Sequence, residues 1–77
     1  MDDFPFPIIR VTRHRMDDGA MALVITGNDP DAVWSAALDK KNATPLAAAP
    51  VLSALEPAAA LGWWVCRLTS RDHVSLH

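Results

Sequence analysis

The 77-residue sequence has one cysteine, Cys66, three glycines that stand apart, and no long uninterrupted apolar run. One cysteine excludes an internal disulfide and any zinc site built from several cysteines. Gly19, Gly27 and Gly62 are isolated, so there is no glycine-rich loop to cradle a phosphate. His14, His73 and His77 lack metal-ligand spacing, and neither a metal nor a cofactor is expected. No internal repeat is visible. The one stretch with the look of a membrane span, residues 47–65, carries Pro50, Glu56 and Pro57 near its middle. A central acidic residue costs roughly 2.5–3.5 kcal/mol there, so no membrane helix is expected. The opening MDDFPFPII has two aspartates where a secretory signal carries lysine or arginine, which makes a cytoplasmic location the expectation.

Net charge is also scarce. Seven lysines and arginines against nine acidic residues leave −2, too little for a nucleic-acid mimic and of the wrong sign for a general nucleic-acid binder. With 51% hydrophobic and 21% charged residues, the composition is that of a folded chain, not a disordered one. A chain of this length hides only roughly 60% of the surface its unfolded form exposes, so its core is thin. With disulfides and multi-cysteine zinc sites excluded, oligomerisation is the remaining supplement to stability, and a homodimer is a live expectation.

What is present reads as one small α+β domain over residues 1–77, with a frayed tail at 71–77. Pro5 and Pro7 favour extended backbone, and IIRVTRHR follows with alternating, β-branched character, which predicts a strand over residues 7–15. Met16-Asp17-Asp18-Gly19 supplies a turn and AMALVIT resumes, completing a β-hairpin. Asn28 or Asp29 as N-cap, Pro30 in the first turn, Asp31 at the positive end and Lys40 and Lys41 at the negative end predict a helix with an apolar stripe of Val33, Trp34, Ala37 and Leu38. The alanine-rich residues 46–61, punctuated by Pro50 and Pro57, predict one or two short helices. Gly62 opens a third strand, WWVCRLTS. The expected fold is therefore a three-stranded sheet with helices on one face, the other face being open.

On a strand, neighbouring side chains point to opposite faces, so Trp63 and Trp64 cannot share one core. Matching apolar sets across strands places Ile9, Val11, Met21, Leu23, Ile25, Trp64, Cys66 and Leu68 under the helices. The open face then holds Ile8, Arg10, Thr12, His14, Ala22, Val24, Thr26, Trp63, Val65, Arg67 and Thr69. Tryptophan beside valine and arginine has the composition of a protein-interface hot spot. The candidate partner-binding residues are accordingly Trp63, Val65, Arg67, Arg10, Thr12 and His14. Three occupants of Trp63 remain open: another protein, a second copy of the chain, or the chain's own Phe4-Pro5-Phe6-Pro7 folded over it.

Catalysis finds little support. Cys66 falls on the core face between Trp64 and Leu68, where a structural thiol is expected, and Asp17 and Asp18 are turn formers. No catalytic residue is assigned. Arg10, Arg13, His14 and Arg15, with Arg67 and Arg71, segregate positive charge toward the sheet, which keeps a nucleic-acid-binding strand as an alternative. Against it, Trp63 is the only aromatic on that face.

In size and in strand-strand-helix-strand layout, the chain resembles the small inhibitor proteins encoded by phages and mobile elements, several anti-CRISPR proteins among them. These share no common motif, so the resemblance carries over no residue. It implies a protein that acts in the host bacterial cytoplasm by occupying a surface of a larger complex. The charge of −2 favours masking a protein surface over imitating DNA.

Overall fold

The computed structural model describes residues 7–71. Strand β1, Ile9–Arg15, pairs antiparallel with β2, Ala20–Gly27, through the turn at Asp17-Asp18-Gly19. Gly19 takes φ +89°, a left-handed conformation that glycine adopts without a side-chain clash, and the Asp18 carboxylate accepts from the Ala20 amide at 3.0 Å. Ile8 continues the pairing just before β1. Its amide donates to the Asn28 side-chain oxygen at 2.9 Å, and its carbonyl accepts from the Asn28 amide at 3.4 Å.

Helix α1, Pro30–Asn42, starts as the sequence indicates. Asp29 is the extended N-cap and its carboxylate accepts from the Ala32 amide at 3.1 Å; Pro30 and Asp31 occupy the first turn, and Lys40 and Lys41 the last. The apolar stripe is narrower than expected. Val33 and Ala37 are fully buried, whereas Trp34 and Leu38 are each 37% exposed. Ala36, on the opposite flank of the buried line, is the residue that packs against the core instead.

Residues 46–61 depart from the expectation of short helices. A single 3-10 turn, Leu46–Ala48, ends at Ala49 in the left-handed region, φ 51° and ψ 58°. The chain then supplies two short strands, β3 at Val51–Leu52 and β4 at Glu56–Pro57. The last strand, β5, is Trp64–Arg71, so Arg71 belongs to the sheet; residues 72–77 of the predicted frayed tail lie outside the described residues. The prolines explain the difference: they leave four residues between Pro45 and Pro50 and six between Pro50 and Pro57, too few for a helix to repay its nucleation.

The sheet thus has five strands, not three, in the order β1-β2-β5-β3, with β4 beside β5 on the same edge as β3. Between β3 and β4 the edge is broken at Ser53. The Ser53 amide donates to the Arg67 carbonyl at 2.8 Å, and its hydroxyl oxygen, in place of a main-chain carbonyl, accepts from the Arg67 amide at 2.9 Å. The α-helix packs on one face of the sheet, where Ile25, Cys66 and Leu68 meet Val33 and Ala37. Ile9, Leu23, Leu52, Leu55 and Trp64 close around that cluster. A small α+β architecture with its helix on one side of an antiparallel sheet is what the alternation of apolar residues implies.

Candidate functional site

Antiparallel register fixes which side chains share the face away from α1, because residues directly opposite one another point to the same side. Arg10, Thr26, Val65 and Glu56 form one row, Thr12, Val24 and Arg67 the next, and His14, Ala22, Thr69 and Val51 the third. The two tryptophans diverge: Trp64 packs against the core cluster, and Trp63 lines a cavity with Arg10 and Thr26 on the opposite side.

The candidate residues differ in how much they present. Arg10, Thr12, His14 and Arg67 are exposed. Val65 is 8% exposed and forms part of the floor of the face. The register explains this: Val65 lies on the inner strand β5 between Thr26 and Glu56, with Trp63 before it and Arg67 after it. Ala22, also 8% exposed, is hemmed in the same way on β2 by His14 and Thr69.

Trp63 stands one residue before β5 and is half-buried, not fully presented. The loop before it is responsible. The Ala58 amide donates to the Trp63 carbonyl at 2.8 Å, and the Trp63 amide donates to the Ala60 carbonyl at 3.1 Å, which turns the main chain back at Trp63 and brings Ala58 and Ala60 to the cavity it lines. Trp63, Ala58, Ala60, Thr26 and Arg10 line an open cavity of about 250 Å³. An indole wall, alanine methyls, a hydroxyl and a guanidinium suit an apolar side chain or a planar group bearing negative charge. Phe4 and Phe6, the internal alternative among the three occupants considered for Trp63, lie outside the described residues.

The chain matches no protein-family model, no curated protein and no solved structure.

Cys66 is fully buried, and its thiol donates to the Ser53 carbonyl at 3.3 Å, which ties the broken edge to β5. Among the described residues no group of three or more histidine, cysteine, aspartate or glutamate side chains could hold a metal ion, and no helix is long and apolar enough to cross a membrane. Sequence reasoning missed Val51, Glu56, Ala58 and Ala60. They reach this face through β3, β4 and the following loop, whose pairing with β5 has no local signature.

The same alternation divides the basic strand. Arg10 and His14 share a face with Arg67, while Arg13 pairs with Leu23 and Arg15 with Met21, on the side of α1. RVTRHR is thus not one basic platform but two half-charged sides of an edge strand.

Proposed function

We propose that the protein is a non-enzymatic binding module whose bare sheet face docks on another protein. It would be an inhibitor of the kind phages and mobile elements encode, anti-CRISPR proteins included, masking a surface of a larger bacterial complex. The observation that carries this reading is the one-sided architecture. The α-helix packs on one face of a five-stranded sheet, and the other face carries Arg10, Thr12, His14 and Arg67 in successive rows, with Arg10 lining a cavity beside the half-buried Trp63 at one end. Interfaces concentrate binding energy in tryptophan and arginine, and a main chain already fixed at Trp63 by its loop has less freedom to lose when a partner covers it. The splitting of the arginines between two faces weighs against a nucleic-acid platform, which gathers positive charge and aromatics on one surface.

The test is capture of a partner from bacterial lysate, followed by affinity measurements with wild type, Trp63→Ala and Arg67→Ala. Removing the indole should weaken binding by about 2 kcal/mol or more, roughly thirtyfold, and Arg67→Ala should weaken it as well. Unchanged affinity in variants that remain folded by circular dichroism would remove the face from the interaction. A homodimer on this face would appear instead as self-association that Arg67→Ala disrupts.

A further inference from the structure

The two edges of the sheet are built differently. The far edge is interrupted, two residues of β3 and two of β4 separated by the Ser53 break, with Pro50 just before β3 and Pro57 as the last residue of β4. Short, bulged, proline-marked edges resist pairing with other chains. The near edge, β1, runs seven residues without proline, glycine or bulge, in continuous register with β2.

Hydrogen-bond parity shows which of its groups are free. The pairs Ile8–Asn28 and Met16–Ala20 are bonded toward β2, the second at 2.8 Å, so the even residues of β1 direct their main-chain groups inward. The amides and carbonyls of Ile9, Val11 and Arg13 therefore face away from the sheet, and none of the described residues pairs with them. On either side of this row stand cations: Arg10 on the bare face, Arg13 and Arg15 on the helix side. Val11, 42% exposed, is the one large apolar side chain exposed along the strand.

We propose that β1 is a strand-addition site for an extended acidic segment of a partner protein. The backbone supplies a ladder of donors and acceptors that accepts any extended chain, and the arginines choose among them. A second copy of this strand is disfavoured, because its arginines would join those of the first on one two-stranded ribbon, and like charges facing across strands are destabilising. An acidic strand turns the same repulsion into attraction, with carboxylates opposite Arg10 and Arg13 and an apolar residue opposite Val11. This contact is made by the edge and is separate from docking on the bare face, although Arg10 serves both.

The probe is an acetylated, amidated peptide, Glu-Glu-Glu-Thr-Val-Glu-Val, with Lys-Lys-Lys-Thr-Val-Lys-Val as its charge-reversed counterpart. Added to the full chain, the acidic peptide should slow hydrogen exchange of the Val11 and Arg13 amides, and the lysine peptide should not. Val11→Pro deletes one outward amide without touching the β2 ladder, and should weaken binding by about tenfold or more while the amide spectrum of β2 and β5 stays in place. Should that variant lose its fold, the pair Arg10→Glu and Arg13→Glu serves instead and should exchange the preference, favouring the lysine peptide. Equal binding of both peptides, protection elsewhere than β1, or full affinity in folded Val11→Pro would each overturn the proposal. Intact peptide protection in Trp63→Ala and Arg67→Ala, beside lost partner binding, would show the edge and the face to be separate surfaces.

Discussion

Gly27 sits where three elements converge, and replacing it with alanine should be costly for reasons of space alone. A Cβ built there would lie 2.5 Å from the Ile8 carbonyl oxygen, 2.8 Å from Val33 Cγ2 and 2.9 Å from Ile9 Cδ1. Carbon and oxygen of this kind normally approach no closer than about 3.3 Å, so the start of β1 must retreat by most of an ångström. That retreat stretches the two hydrogen bonds holding Ile8 to Asn28 and pushes against a fully buried valine at the head of α1. Forcing a methyl group into a packed site costs roughly 1–3 kcal/mol, which in a domain of this size lowers the melting temperature by roughly 4–24 °C. Urea unfolding followed by far-ultraviolet circular dichroism measures it, with an unchanged m-value showing that the unfolded state is the same. Gly19→Ala is the contrast. Nothing lies within 4 Å of its Cβ, and its cost comes from φ +89°. A Gly27→Ala protein within about 0.5 kcal/mol of wild type would refute the convergence of β1, β2 and α1 at this residue.

Two further substitutions probe the joints of the fold. Ser53→Ala removes the hydroxyl oxygen that accepts from the Arg67 amide, so it should lower stability by about 1 kcal/mol and speed exchange of that amide while β2 remains protected. Asp29→Ala removes the N-cap and should lower stability by roughly 0.5–2 kcal/mol, whereas Asp29→Ser should recover most of the loss in the same urea titration.

The hairpin and the start of α1 are legible in the sequence because their determinants are local. Asp18-Gly19 between two alternating runs specifies the turn, and Asp29-Pro30-Asp31 specifies the helix start. The facing of the strands is legible for the same reason: period-two alternation separates Ile25, Cys66 and Leu68 from Val24, Val65 and Arg67, and the register keeps these sets apart. Residues 46–61 mislead because alanine favours helices while Pro50 and Pro57, with Pro45 just before them, shorten every helical option, and the outcome is decided by β5 offering an unpaired edge. Val51 and Leu52 carry the only β-like composition there, too brief to announce a strand. Trp34 and Leu38 are misassigned to the core because a helix this rich in alanine has a poorly defined apolar face; Ala36 completes the buried side without leaving a signal.

The candidate site is legible in outline and not in depth. Alternation alone separates Trp63 from Trp64 and gathers Arg10, Thr12, His14 and Arg67 on one side. It does not show that Val65 is enclosed by Glu56 and Thr26, since Glu56 reaches that row only through pairing remote in sequence. Nor does it show the loop at Ala58 and Ala60 that partly walls Trp63, because those alanines have no character of their own before the hydrogen bonds to Trp63 place them.

A sheet packed on one side and bare on the other is tested most directly at two adjacent residues of β2, Val24 on the bare face and the fully buried Ile25 on the helix face. Lysine at each position, compared by urea unfolding, should give opposite results: Val24→Lys folds cooperatively within about 1 kcal/mol of wild type, whereas Ile25→Lys, an unpaired charge in the core, loses cooperative unfolding altogether. If Val24→Lys also abolishes folding, the face is covered from within the chain and is not open to a partner.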